Sequence, residues 1–143
     1  MKIFALNYRE CDDQGCGHYY ASRGSRKHMG VDMACLPGTQ VGSPVKGQVT
    51  KIGWPYAGEP DIRYVQVFAE GYQFRVFYVE PSVAVGDWVE LNEPIGTSQQ
   101  LESMTRGGTQ HVHFEILDKH GAYIDPTPVV IALRGTLRTG VIL

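Results

Sequence analysis

Apolar and polar residues broadly alternate along several short segments of this chain. The clearest segments are residues 48–53, 63–70, 73–79 and 111–116. Such a period of two is typical of strands that bury one face. Seventeen glycines and eight prolines predict frequent turns, and therefore short strands rather than long helices. The pattern predicts a mainly β fold with two packed antiparallel sheets and a groove over one of them.

Weaker patterns indicate the remaining elements. Residues 2–6 and 31–34 are predicted to be short strands, and the segments on either side of Gly71 are predicted to form a hairpin. Residues 99–106 favour one or two helical turns. The tail, residues 129–143, is apolar but interrupted by two arginines, and we expect it to form an extra strand or an oligomer contact.

The composition is that of one globular domain. At 143 residues, 43% apolar and 20% charged, the chain is long enough for its own core. We expect a single domain over residues 1–143, with an N-terminal strand and cysteine loop (1–19), a core (20–126) and a C-terminal tail (127–143). Thirteen basic and fifteen acidic residues give a net charge of −2, which leaves no basic surplus for nucleic-acid binding. No apolar run is long enough for membrane insertion, and the oligomeric state stays open.

A partial metal site is indicated by His28 and Asp32, which are four residues apart. The Gly-Val pair between them disfavours a helix, so Asp32 is predicted to lie within a short strand. A catalytic zinc site needs a third protein ligand and an open position for water. His111 and His113 are two residues apart in an alternating segment, so their side chains share one strand face. One of the two can bind a metal while the other faces the open position.

Several motifs together resemble a known family. They are His28-x-Gly30-Val31-Asp32, Pro37-Gly38-Thr39-x-Val41, Pro44-Val45-x-Gly47-x-Val49 and His111-Val112-His113-Phe114-Glu115. This combination resembles the lysostaphin/LytM-type zinc endopeptidases, which cut peptide bonds in bacterial peptidoglycan. The resemblance implies a zinc cofactor bound by His28, Asp32 and His113, and a peptidoglycan peptide as substrate. It also implies that His111 is catalytic, through a hydrogen bond to water or to the oxyanion.

One position departs from the family pattern. The active endopeptidases carry a second catalytic histidine in a Tyr-x-His segment, and aligning Tyr78 with that tyrosine places Glu80 at the histidine. Three interpretations stay open: Glu80 acts as a general base, the site binds zinc without cleaving, or Glu80 points to solvent. An arginine commonly precedes the first ligand in this family, and both Arg23 and Arg26 qualify.

Two further segments resemble the chemotaxin-2-like branch of the same family. They are Cys11-Asp12-x-x-Gly15-Cys16-Gly17 and Phe77-Tyr78-Val79-x-Pro81. The zinc-binding signalling protein of this branch also lacks the second histidine, and its matching cysteines are bridged. The resemblance therefore implies a disulfide between Cys11 and Cys16, and a catalytically silent zinc-containing binding protein as the alternative function.

The rival interpretation of the cysteines is a second metal site built from Cys11, Cys16 and His18, although no fourth ligand follows at the spacing of a structural zinc site. Cys35 stays unpaired in either interpretation. In a reducing compartment, all three cysteines are expected to be thiols.

The first eight residues contain one lysine and a four-residue apolar stretch, which is too short for a signal peptide. We therefore expect a protein that stays cytoplasmic until it is released to the periplasm or cell wall, or that forms part of a phage particle. A wall-cutting enzyme without a leader fits a phage or prophage lysis protein, that is, an endolysin. A structural virion component is a third hypothesis.

Overall fold

The computed structural model describes residues 7–12, 15–101 and 110–139. Across these residues the chain forms twelve short strands followed by one helix. The strands are β1 (Ser22–Arg23), β2 (Arg26–Lys27), β3 (Val31–Ala34), β4 (Gln40–Gly42), β5 (Gly47–Gly53), β6 (Tyr64–Ala69), β7 (Tyr72–Phe77), β8 (Val79–Pro81), β9 (Trp88–Val89), β10 (Pro94–Ser98), β11 (His111–Leu117) and β12 (Tyr123–Ile124). The helix is α1 (Thr127–Thr139).

The described strands form three sheets, and their pairings are antiparallel. The largest sheet has seven strands in the order β12-β11-β7-β6-β5-β9, and β3 pairs with β11 outside this path. A second sheet has the order β4-β10-β8, and β1 and β2 form a separate two-stranded hairpin. The prediction of a mainly β, antiparallel fold is confirmed. The strand predicted at residues 2–6 and most of the helical segment predicted at 99–106 lie outside the described residues.

The core lies between the two larger sheets. Val65 and Val76 from the large sheet belong to one buried cluster with Val41, Val79 and Ile95 from the three-stranded sheet. All five side chains have 0% relative exposure. Each sheet therefore buries one face against the other, which is the packing expected from alternating strands.

The predicted hairpin is confirmed as β6 and β7. Ala69 pairs with Tyr72, which leaves Glu70 and Gly71 as a two-residue turn. Both turn residues have positive φ, 52° at Glu70 and 89° at Gly71. Positive φ at both central positions is the requirement of the tight turn that matches the twist of antiparallel strands.

The extra strand expected in the tail is wrong, because residues 127–139 form helix α1. The Asp125 side chain caps the helix by accepting a hydrogen bond of 2.9 Å from the Thr127 amide. Val130 and Leu133 are buried, three residues apart on one helix face, and join the core. The apolar residues of the tail therefore follow helical rather than strand spacing. In the described part of the chain, no helix is long and apolar enough to cross a membrane.

Candidate metal centre

Three candidate ligand atoms form a nearly equilateral triangle. His28 Nε2 lies 3.1 Å from Asp32 Oδ1 and 3.1 Å from His113 Nδ1. His113 Nδ1 lies 2.9 Å from Asp32 Oδ1. Ligand atoms around a tetrahedral zinc ion lie about 3.3 Å apart when the metal–ligand distance is roughly 2.0–2.1 Å. The triangle therefore fits zinc with a small outward adjustment of the three side chains.

Strand pairing brings these ligands together. In the register of β3 against β11, Asp32 stands directly opposite His113. Side chains of directly opposed residues in an antiparallel pair share a face and lie close together. His28 precedes β3, and its amide donates a hydrogen bond of 2.8 Å to the Ala21 carbonyl. This bond ties His28 to the end of the β1–β2 hairpin.

The two histidines of the triangle are held in the tautomers that bind metals. His28 Nδ1 is 2.9 Å from the His18 backbone carbonyl, which can only accept a hydrogen bond. His113 Nε2 is 2.9 Å from Glu115 Oε1, and the other oxygen, Oε2, accepts a hydrogen bond of 3.3 Å from Arg75 Nη1. Both outer nitrogens therefore carry a proton, and the inner nitrogen of each ring points its lone pair at the triangle once it is deprotonated. Such outer-shell acceptors are typical of histidine metal ligands.

Asp32 is a buried carboxylate held in its charged form. Its second oxygen, Oδ2, lies 3.1 Å from Arg9 Nε and 3.7 Å from Arg23 Nη2. Burial alone raises the pKa of Asp32, but hydrogen bonds to His113 and His28 outweigh burial and hold the pKa well below its usual range. Asp32 is therefore an ionised ligand at any ordinary pH.

His113 lies between two carboxylates. Burial alone lowers the pKa of His113, but hydrogen bonds to Asp32 and Glu115 outweigh it and raise the pKa to about 9. The ring is therefore a strong base, and a metal ion at the triangle competes with a proton for Nδ1.

His111 lies beside the triangle without being part of it. Its Nε2 is 3.6 Å from Asp32 Oδ2, and its ring contacts the Tyr78 ring edge-on with centroids 5.3 Å apart. His111 and His113 line the same cavity, as their spacing on one strand predicts. The structure thus separates the H-x-H pair into one member in the triangle and one beside it.

The triangle opens into a cavity of 590 Å³. Its lining includes six aromatic side chains: Trp54, Tyr56, Tyr64, Phe77, Tyr78 and Tyr123. Trp54 and Tyr56 come from the loop after β5 and are 58% and 42% exposed. The Tyr56 and Tyr78 hydroxyls are hydrogen-bonded at 2.7 Å, which connects this loop to the side of the cavity where His111 lies. A cavity of this volume with several aromatic side chains has the size of a ligand site.

Glu80 lies outside this cavity. Tyr78 has a φ of 72°, so the backbone turns between β7 and β8 and the strand alternation is interrupted. Phe77 and Tyr78 consequently both line the cavity, whereas the exposed Glu80 side chain is 3.4 Å from Gln99 Nε2. Of the three interpretations of Glu80, the solvent-facing one matches this placement.

The disulfide implied by the resemblance is confirmed between Cys11 and Cys16. The rival second metal site is wrong, because a disulfide sulfur is not a thiolate ligand. His18 is exposed, and its contribution to the centre is its backbone carbonyl. Cys35 keeps a free thiol and is half-buried.

Sequence reasoning missed Arg9 and Glu115, which hold Asp32 and His113. Glu115 had a local signal, because it follows His113 by two residues and therefore shares its strand face. Arg9 had none, since it reaches Asp32 across 23 residues of sequence. Of the two arginines proposed before the first ligand, Arg23 is the one that lies near Asp32, whereas Arg26 is exposed at the cavity.

The described β fold places a His–Asp–His triangle in a cleft, and two histidines with one carboxylate are a donor set of catalytic zinc sites in metallopeptidases. The sequence profile of peptidase family M23 matches residues 26–126, and the chain belongs to this family. It is 33% identical to leukocyte cell-derived chemotaxin-2 of Mus musculus over 120 residues, which cover 83% of this chain and 76% of that protein.

Solved structures show the same fold. The peptidase lysostaphin from Staphylococcus simulans superposes with a TM-score of 0.67 at 22% identity, covering 92% of this chain and 53% of that chain. LytU superposes with a TM-score of 0.63 at 27% identity, covering 83% of each chain. The expected lysostaphin/LytM-type family is therefore confirmed, together with the relation to its chemotaxin-2-like branch.

Proposed function

We propose that the protein is a zinc-dependent endopeptidase that hydrolyses peptide bonds of bacterial peptidoglycan. The observation that carries this proposal is the triangle of His28, Asp32 and His113 at an open cavity, with both histidine tautomers set for metal binding. Two imidazoles and one carboxylate form a common donor set of catalytic zinc sites. Membership of peptidase family M23 supports the same reaction class.

Each residue at the centre has a role in this proposal. His28, Asp32 and His113 hold the metal, and Arg9 orients Asp32 through a hydrogen bond to its second oxygen. Zinc, when bound, acts as a Lewis acid on the peptide carbonyl and makes a water molecule more acidic. His111 projects into the same cavity and exchanges a proton with the reacting groups. The aromatic lining binds the peptide.

The test is release of new amino groups from purified peptidoglycan, with the zinc content of each sample measured. We expect about one zinc ion per chain, and activity that a chelator removes and added zinc restores. His113→Ala should lose both zinc and activity. His111→Ala should keep zinc and lose activity by about 10²–10⁴-fold, the usual contribution of a positioned acid–base group. Activity that survives complete zinc removal would contradict the proposal.

The second candidate is a zinc-containing binding protein without hydrolysis. Two observations favour it: the similarity to chemotaxin-2, and the absence of Glu80 from the cavity lining where the endopeptidases place a histidine. This candidate expects the same zinc content but intact peptidoglycan after prolonged incubation. The phage or prophage origin stays a prediction from the sequence.

A further inference from the structure

The cavity is cationic although the whole chain is slightly acidic. Its lining contains five basic side chains but only two carboxylates, those of Asp32 and Glu115. The basic residues are Arg9, Arg23, Arg26, Lys27 and Arg75. The chain as a whole has a net charge of −2, so positive charge is concentrated at this cleft. A cleft lined by one sign of charge attracts ligands of the opposite sign.

Three of the five cations are engaged with carboxylates of the protein. Arg9 pairs with Asp12 and Asp32, and Arg23 lies 3.7 Å from Asp32. Arg75 lies 3.3 Å from Glu115. These contacts support the metal ligands and their outer-shell partners, so these cations are not available to a ligand.

The other two cations, Arg26 and Lys27, have no ion pair with a carboxylate among the described residues. Both are exposed and both line the cavity. Lys27 Nζ lies 5.8 Å from the centroid of the Tyr20 ring, a cation–π contact that does not neutralise its charge.

The β1–β2 hairpin fixes these two cations relative to the metal ligands. Arg26 pairs with Arg23 and Lys27 pairs with Ser22 across the hairpin. Lys27 directly precedes His28, and the next backbone contact joins the His28 amide to Ala21. Arg23 in turn donates a hydrogen bond of 2.7 Å to the Cys16 carbonyl, which anchors the hairpin to the disulfide loop. The two charges are therefore attached to an ordered element beside the first metal ligand.

We propose that Arg26 and Lys27 form a subsite for a carboxylate of the substrate, so that the preferred substrate is an acidic peptide. The subsite specifies the kind of peptide that the proposed endopeptidase binds. Its description as a substrate site rests on that proposed function. Successive residues of a strand point to opposite faces, so Arg26 and Lys27 border the cavity from different sides. Each of them can bind a carboxylate through charge-assisted hydrogen bonds. The carboxylate comes either from an acidic side chain or from the peptide C-terminus.

The test uses a dye-labelled peptidoglycan stem tetrapeptide with its carboxylates free, and two versions in which the C-terminal or the glutamate carboxylate is amidated. Binding is measured by fluorescence anisotropy with the zinc-loaded wild-type chain, the Arg26→Gln/Lys27→Gln variant and Lys119→Gln. Lys119 is an exposed lysine outside the cavity lining, so Lys119→Gln controls for a general change in charge.

The double variant should bind the free-carboxylate peptide about 3- to 10-fold more weakly than wild type, as expected for two partly exposed ion pairs. Amidation of the recognised carboxylate should weaken wild type by a similar factor and abolish the difference between wild type and the double variant. Whether the C-terminal amide or the glutamate amide has this effect shows which carboxylate the subsite binds. Lys119→Gln should bind like wild type.

The subsite would be overturned by equal binding of all three peptides to wild type, or by no measurable binding of any peptide. It would also be overturned if Lys119→Gln lost as much affinity as the double variant. Amino-group release is measured in the same samples and reports on the proposed function separately. Carboxylate-dependent binding without hydrolysis would keep the subsite and remove the endopeptidase. Equal hydrolysis of all three peptides, without carboxylate-dependent binding, would keep the endopeptidase and remove the subsite.

Discussion

Gly30 lies directly against the ring of His113. A Cβ added at Gly30 would be 2.6 Å from Cε1 and 2.7 Å from Nε2 of that ring, and 2.5 Å from the Phe114 carbonyl oxygen. The backbone between the first two candidate ligands therefore passes directly beside the ring of the third. This contact gives a physical reason for glycine in the His-x-Gly-Val-Asp motif.

Gly30→Ala should displace the His113 ring and weaken zinc binding by roughly 10-fold or more, the scale of misoriented metal ligands. The measurement is competition with a chromophoric chelator. Gly135→Ala is the matched control, because a Cβ there meets nothing within 4 Å. The control should leave zinc binding unchanged and raise the free energy of unfolding by about 0.5–1 kcal/mol, since glycine is unfavourable within a helix. Unchanged zinc affinity in Gly30→Ala would contradict the role given to this contact.

Glu115→Ala should weaken zinc binding by about 10–100-fold, because His113 loses the acceptor that sets its tautomer. Glu115→Gln keeps an acceptor oxygen for His113 Nε2 and should lose less. Both affinities are measured by the same competition assay. If the alanine and glutamine variants bind zinc as tightly as wild type, the bond between Glu115 and His113 does not organise the centre.

Glu80→Gln should leave peptidoglycan cleavage unchanged, because the Glu80 side chain is exposed and outside the cavity lining. For the same reason, Glu80→His should produce no gain. The measurement is the initial rate of amino-group release at matched zinc content. A loss near 10²-fold in Glu80→Gln would show that Glu80 is a general base.

The disulfide supports the metal centre through its loop. Arg9 Nη1 donates a hydrogen bond of 3.0 Å to the Gly15 carbonyl, and Arg23 Nη2 donates one of 2.7 Å to the Cys16 carbonyl. Cys11→Ser/Cys16→Ser should lower the free energy of unfolding by about 2 kcal/mol, as expected for a short loop. It should also weaken zinc binding, because both arginines contact Asp32. Chemical denaturation measures the free energy of unfolding, and zinc competition measures the affinity for zinc. Zinc affinity equal to that of wild type would show that the disulfide does not support zinc binding.

Cys35 should react slowly with iodoacetamide at neutral pH. Burial raises the pKa of its thiol, despite opposing hydrogen bonds with Ser98 and Gln110, so the reactive thiolate is scarcer than in free cysteine. The rate should keep rising with pH above the point at which free cysteine levels off. Thiol counting on unfolded, unreduced protein should find one free cysteine per chain. A rate profile that matches free cysteine would show that the thiol is not shielded.

Local sequence was sufficient for the β class, the β6–β7 hairpin and the shared face of His111 and His113. These features depend on alternation and turn residues within a few positions, where strand geometry directly determines the direction of each side chain. The local sequence of the tail was not sufficient, because its apolar residues are compatible with a strand or a helix. Packing of Val130 and Leu133 against the core decides for the helix.

Only the tertiary structure decided which groups surround the candidate ligands. Asp32 meets His113 because β3 pairs with β11 across about 80 residues of sequence, and no local pattern contains that register. Arg9 contacts Asp32 directly across 23 residues of sequence, and the positive φ of Tyr78 directs Glu80 away from the cavity. The sequence by itself determined which residues are able to bind a metal, because that ability belongs to the side chains. Their partners and orientation depend on long-range packing, which only the folded chain establishes.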